Sequence, residues 1–207
     1  MSNNFSTVER FNVSRETFDK LKIYEDLTKK WNPHINLVSK NTLNSMWNRH
    51  ILDALQLVDY VDASTNKYSD LGSGGGFPGM VLAIIFSEQS PSTETILVES
   101  DKRKAEFLRT VSRELEVEVK VIAERIEEIP DLKANLITAR ALAPLDRLLS
   151  FVYRHLNADG IALLPKGNSY QDEITAAKKN WRFDLEVKPS MTSTDATILK
   201  IGALSRV

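Results

Sequence analysis

The sequence predicts an α/β fold: a Rossmann-like, mostly parallel seven-stranded sheet with one antiparallel strand, preceded by an N-terminal helical segment. Three observations lead there. Five of the eight glycines, Gly72, Gly74, Gly75, Gly76 and Gly79, fall in one short window between the strand-like Tyr68-Ser69-Asp70-Leu71 and an apolar run at 80–86. From that window onward strand and helix patterns alternate, and such alternation builds a parallel sheet with helices on both faces. The last two strand patterns, at 182–187 and 197–201, have no helix pattern between them, which puts an antiparallel pair at one edge.

Taken in order, residues 1–13 carry little pattern and are expected to be loosely structured. Ser14 suits the N-cap of a helix running to about Trp31, in which Phe18, Leu21, Tyr24, Leu27 and Trp31 recur at helical spacing. That helix should stop near Asn32-Pro33, because the residue before a proline avoids the helical region. A short connection, Asn36-Leu37-Val38-Ser39, leads to a second helix predicted over 43–61, with Trp47, Ile51, Ala54, Leu55, Val58 and Val61 as its apolar stripe. The first strand then enters the glycine window, where positive φ and close approach of a ligand are both possible. Pro78 suits the start of the helix that follows. Further strands are predicted at 95–99, 118–122, 135–139 and 160–164, and further helices at 101–115, 145–156 and 169–179.

A chain of 207 residues with 42% hydrophobic residues suits one domain with a substantial core. The absence of cysteine excludes disulfides and cysteine-ligated metal sites, and no other metal-ligand spacing appears. The N-terminus has no secretory core, and no apolar run approaches the ~18–20 residues of a membrane span. A cytoplasmic protein without a membrane contact is expected. A net charge of -1 gives no global basic field, so any nucleic-acid surface must be local.

The glycine window holds both G-x-G-x-G, at Gly72, Gly74 and Gly76, and G-x-G-x-x-G, at Gly74, Gly76 and Gly79. A strand, a glycine turn and a helix form a ligand cradle. Glu99 ends the next strand, where an acid in this fold class accepts hydrogen bonds from ribose hydroxyls. Loop and acid together indicate an adenosine-containing cofactor without separating NAD from S-adenosylmethionine. The third close glycine and the proline opening the helix favour S-adenosylmethionine, and the closing strand pair resembles the end of class I methyltransferases. Lys102, Arg103, Lys104 and Arg109 share one predicted helix and, with Arg125, Arg140 and Lys166, could form a small phosphate track. His34 and His155 are read as surface residues.

Several ordered motifs are more specific. Trp31-Asn32-Pro33-His34-Ile35-Asn36-Leu37-Val38-Ser39, Arg49-His50-Ile51-Leu52-Asp53-Ala54, the loop 70–79, Arg125-Ile126-Glu127-Glu128, Ala139-Arg140-Ala141 and Pro165-Lys166-Gly167 occur in this order. Together they resemble the bacterial RsmG, or GidB, family over about residues 18–170. Members of that family are class I methyltransferases that use S-adenosylmethionine to methylate N7 of one guanine in 16S ribosomal RNA. The final forty residues match less well, with Thr194-Asp195-Ala196 where the family often carries an arginine.

To Gly74 and Glu99, read from the loop and the strand end, the resemblance adds Gly72, Phe77, Ile126, Glu127 and Arg140 as cofactor-binding residues, with Ile126 and Glu127 beside the adenine and Arg140 beside the methionine end. It implies Arg140, Lys166 and His50 as catalytic residues, and Asn36, Arg49, Arg125 and Lys166 as RNA contacts. The expected organisation is a single methyltransferase domain over 1–207, with a helical segment at 14–62 packed on the cofactor side of a Rossmann-like core at 66–207. The expected partner is 16S ribosomal RNA within the small ribosomal subunit, with no obligate protein partner. Two other classes remain open on the sequence: an NAD-dependent oxidoreductase, and a non-catalytic ribosome- or RNA-binding module.

Overall fold

The computed structural model describes residues 3–207. Its strands are β1 (Lys67–Leu71), β2 (Glu94–Val98), β3 (Lys120–Ile122), β4 (Ala134–Thr138), β5 (Leu156–Lys166), β6 (Trp181–Pro189) and β7 (Thr197–Arg206). They form one sheet in the order β3-β2-β1-β4-β5-β7-β6. Four pairings join the first five strands in parallel, and β7 is antiparallel to both β5 and β6. The chain builds outward from β1 to β3 and then returns to β4 on the other side of β1. The carboxyl ends of β1 and β4 therefore flank the reversal of strand order, where open α/β sheets bind ligands.

The helices are α1 (Asn3–Glu9), α2 (Arg15–Ile35), the single turn α3 (Asp53–Leu55), α4 (Gly79–Gln89), α5 (Lys102–Leu115), α6 (Leu145–His155) and α7 (Tyr170–Ala177). On one face of the sheet α4 and α5 pack with α2 and the leading segment around Tyr24, Phe107 and Met80. On the other face α6 and α7 cover Ile96, Ile137 and Ala162. α4 is buried from Gly79 through Phe86, which explains why its sequence is apolar all round rather than amphipathic. Among the described residues no helix is long and apolar enough to cross a membrane.

Three expectations about the leading segment need correction. Residues 3–9 form α1 rather than a loose tail; Val8 and Phe11 are buried, and Phe5 meets Phe18 edge-on at 5.2 Å. Met1 and Ser2 lie outside the described residues. Ser14 does cap α2, accepting a hydrogen bond from the Thr17 N–H, but the helix runs through Pro33 to Ile35. Pro33 sits in the exposed last turn, and closure comes from left-handed Asn36, whose N–H bonds to the Asn32 carbonyl. The Asn32 side chain also accepts from the Val38 N–H.

The second predicted helix is broken into a 3₁₀ stretch (Lys40–Ser45), a π turn (Trp47–Leu52), α3 and another 3₁₀ stretch (Gln56–Tyr60). Its carbonyls are taken by side chains: Arg140 donates to the Arg49 carbonyl and Gln56 to that of Asp53. Groups inserted into the helical ladder in this way prevent regular winding. The remaining elements fall close to their predicted positions.

Candidate active site

The loop after β1 is fixed by backbone shape. Gly72, Gly74 and Gly76 all have positive φ. At Gly76, with φ of +90°, an added Cβ would lie 2.5 Å from the Tyr24 hydroxyl and 2.9 Å from Leu108 and Met80. Gly74, at φ of +55°, has only the loop's own Gly72 carbonyl near that position, at 3.9 Å. The loop is thus packed from below at Gly76 and open above at Gly74. Helix α2 supplies the packing: the Tyr24 hydroxyl donates to the Gly75 carbonyl, and its ring stacks on Phe77 at 5.0 Å.

Above the loop lies a cavity of about 530 Å³, lined by Gly72, Gly74, Phe77, Glu99, Arg125, Ile126, Glu127 and Arg140 among others. Its size falls in the usual range for small-molecule sites. Glu99 is buried, and its two carboxylate oxygens accept from the Gly74 and Asp101 N–H groups, each at 2.7 Å. A carboxylate has lone pairs to spare after two such bonds. Val98, Ile126 and Phe151 provide apolar lining. His155 holds this side in place: it is fully buried, not a surface residue, and its Nε2 bonds to the Ile126 carbonyl at 3.0 Å. His34 is exposed.

These features fit S-adenosylmethionine better than a dinucleotide. Loop backbone open toward the cavity, a buried acid beside it and an apolar wall suit an adenosine with a short charged tail. A pyrophosphate needs an accessible helix N-terminus. Here the start of α4 is buried, and the Asp70 carboxyl lies against Gly79. Burial raises the Asp70 pKa to about 6, against the hydrogen bond donated by Thr138 at 2.6 Å.

A second cavity of about 630 Å³ adjoins the first, lined by Thr42, Arg49, His50, Asp53, Gln56, Lys166, Glu173 and Thr192 among others. Arg140, Ala141, Leu142 and Ala143, the turn after β4, line both cavities. Arg140 stands at the junction. Its guanidinium donates to Asp53 Oδ2 and to the Arg49 carbonyl, both at 3.1 Å, and to His50 Nδ1 at 2.8 Å. It also lies 5.8 Å from the Phe77 ring centre.

A guanidinium only donates, so His50 Nδ1 must be the acceptor and Nε2 carries the proton. Nε2–H then donates to the Thr42 hydroxyl at 2.9 Å. Burial, followed by the charges of Arg140 and Arg49, pushes the His50 pKa down to about 3. His50 is therefore a neutral support for Arg140.

The other expected residues separate. Arg49 and Arg125 are exposed at the rims of the two cavities, and Glu127 is exposed beside Arg147. Asn36 lines neither cavity; it caps α2, and its neighbour Leu37 lines the first. Lys166 is not a free charge: its ammonium is bound by Glu173 at 2.7 Å and the Ala143 carbonyl at 3.1 Å. Lys102, Arg103 and Arg109 are exposed on α5, while Lys104 lines the first cavity. Sequence reading missed Tyr24, Asp53, Gln56, Glu173 and Thr192. Only Asp53 carried a signal, one helical turn from Arg49 and His50 within the same motif.

The chain matches the family described as rRNA small subunit methyltransferase G (GidB) over residues 17–201. A relative named ribosomal RNA small subunit methyltransferase G from Ruegeria pomeroyi is 48% identical over 196 residues, covering 95% of this chain and 96% of that protein. One of the same name from Cereibacter sphaeroides is 46% identical, covering 98% of each. Among solved structures, a TehB-like SAM-dependent methyltransferase from Corynebacterium glutamicum superposes with a TM-score of 0.58 at 15% identity, over 87% of this chain and 98% of that one. At that identity the likeness shows the fold, that of the class I methyltransferases. The chain belongs to the GidB family of rRNA small subunit methyltransferases.

Proposed function

We propose that this protein transfers a methyl group from S-adenosylmethionine to N7 of a guanine in 16S ribosomal RNA, acting on the small ribosomal subunit. The observation that carries the reading is the pair of adjoining cavities at the β1/β4 reversal, separated by Arg140–Ala143, in a chain of this family. S-adenosylmethionine supplies a methyl group activated on a sulfonium sulfur. The loop Gly72–Phe77, Glu99 and Ile126 would hold it, with Glu99 accepting from the ribose hydroxyls and Ile126 against the adenine.

Guanine N7 has a lone pair and no proton. The nitrogen–carbon bond therefore forms as the carbon–sulfur bond breaks, the electron pair stays on sulfur, and no base is needed. What the protein must supply is alignment and charge placement. Arg140 has the position for this task, with neutral His50 and Asp53 fixing its orientation. The base gains a positive charge, and Asp53 is a carboxylate lining the second cavity. Arg49 and Arg125, exposed at the rims, would meet RNA phosphates. The leading segment 14–62 acts as part of the site, since Tyr24 and His50 hold the loop and Arg140.

The test is calorimetry with S-adenosylmethionine and NAD, followed by transfer of labelled methyl groups to small subunits lacking the modification. We expect micromolar binding of S-adenosylmethionine, roughly -7 to -9 kcal/mol, and label in the RNA. Binding of NAD alone would overturn the reading in favour of an oxidoreductase. S-adenosylmethionine binding without transfer would indicate a non-catalytic module.

A further inference from the structure

The turn between β4 and α6 separates the two cavities, yet it has little regular structure of its own. Ala141 lies in the left-handed region at φ of +53°, which residues with a Cβ disfavour. Something outside the turn must hold it. At its upstream end that is the Arg140 network. At its downstream end it is one carboxylate on α7: Glu173 Oε2 accepts from the Leu145 N–H at 2.8 Å and from Lys166 Nζ at 2.7 Å. Lys166 in turn donates to the Ala143 carbonyl at 3.1 Å. Glu173 Oε1 is held by the Ser169 hydroxyl at 3.1 Å.

The Lys166–Glu173 pair is mostly shielded, with side-chain exposures of 10% and 21%. Burial alone would raise the Glu173 pKa, but the bonds from Lys166, Leu145 and Ser169 outweigh it and hold the carboxyl below its ordinary range. The glutamate is thus charged at neutral pH. The turn also touches the cofactor loop: a Cβ on Gly72 would lie 2.6 Å from Leu142 Cδ1, so Leu142 is seated on the loop backbone. A shift of the turn would move that contact and both cavity walls together.

We propose that Glu173 is a positioning residue for methyl transfer: through Lys166 and the Leu145 N–H it fixes the Arg140–Ala143 turn, and so sets how methyl donor and acceptor base face each other. This rests on the methyl-transfer reading above. Most residues lining the two cavities lie outside this turn, so loss of Glu173 disturbs alignment more than affinity.

The experiment compares Glu173→Ala and Glu173→Gln with the wild type by three readouts. These are S-adenosylhomocysteine affinity, kcat and KM for labelled methyl transfer to unmodified small subunits, and hydrogen exchange of the Leu145 amide. Glu173→Ala should lower kcat by about 10- to 100-fold, as small misplacements of reacting groups do. Its S-adenosylhomocysteine affinity should stay near wild type, and the Leu145 amide should exchange faster. Glu173→Gln keeps an acceptor for Leu145 and should fall between. A lower melting temperature with wild-type kcat for the folded protein would overturn the proposal, leaving Glu173 a structural residue. Should Glu173→Ala fail to fold, Glu173→Gln decides alone, and a wild-type kcat overturns it. A wild-type protein that transfers no methyl group would sink the function reading instead; protection of the Leu145 amide would then still test whether Glu173 holds the turn.

Discussion

The glycine loop after β1 and the Arg140–Ala143 turn after β4 lie side by side at the site but are made in different ways. The loop is local: closely spaced glycines take positive φ, and the helix behind it begins at once. The turn is held by side chains from distant segments, with Asp53 reaching Arg140 from 87 residues away and Glu173 reaching Leu145 from 28. A site half built from backbone geometry tolerates few substitutions at its glycines. A site half built from a polar network should lose function in steps, according to which bond is removed.

Substitution within the loop should give the largest effects and separate packing from binding. Gly76→Ala places a methyl group against Tyr24, Leu108 and Met80 at positive φ, and should cost about 2–5 kcal/mol of stability. Gly74→Asp has room for its side chain and should fold, since left-handed φ costs only about 1–2 kcal/mol. It should nonetheless abolish cofactor binding, because the new carboxylate enters the cavity beside Glu99. Thermal melting and calorimetry on both variants check the contrast. Equal destabilisation by the two would break it.

On the turn side, Arg140→Ala should reduce methyl transfer by about 100-fold or more, as loss of a buried charge-assisted contact costs about 2–4 kcal/mol. Its melting temperature should fall modestly, because Asp53 keeps its bonds from Thr192 and Gln56. Normal turnover in single-turnover kinetics would make the Arg140 network mere scaffolding.

A smaller effect is expected at His50. Glutamine retains one acceptor and one donor, so His50→Gln should keep much of the activity at neutral pH. The pH dependence should differ. The folded protein holds His50 neutral down to about pH 3, whereas the unfolded chain takes up the proton as pH falls below its ordinary ~6.5. The stability this lowered pKa contributes is present above pH 6.5 and is lost progressively toward pH 3. Denaturation midpoints for wild type and His50→Gln should therefore converge as pH falls across that window. Parallel curves would show that His50 is protonated in the native state.

The smallest expected change concerns salt. Arg49→Ala removes an exposed charge and should lower the salt slope of RNA binding by about one. Lys166→Ala should leave that slope unaltered, because its charge is already bound by Glu173 and the Ala143 carbonyl. A reduced slope for Lys166→Ala would mean that the pair opens to engage RNA.

The same division explains what could be read from the sequence. The mostly parallel sheet follows from alternation, and the cofactor cradle follows from glycines packed between a strand and an apolar helix. Residue type and spacing also located Ser14 as a cap and Glu99 beside the loop. The broken helix at 40–60 was not legible, because Arg140, far along the chain, takes one of its carbonyls. Neither was the burial of His155, whose partner is a backbone carbonyl in an irregular segment. Lys166 looked like a phosphate contact because its position at a strand end was evident and its partner on α7 was not.

Methyl transfer to guanine N7 across a junction held by Arg140 is the central proposal. The most direct test is mass-spectrometric mapping of 16S ribosomal RNA from unmodified small subunits after incubation with S-adenosylmethionine and either wild-type protein or Arg140→Ala. One N7-methylguanosine is expected with the wild type and almost none with the variant at equal time. A methyl group on another atom or base, or an equal yield from Arg140→Ala, would contradict it.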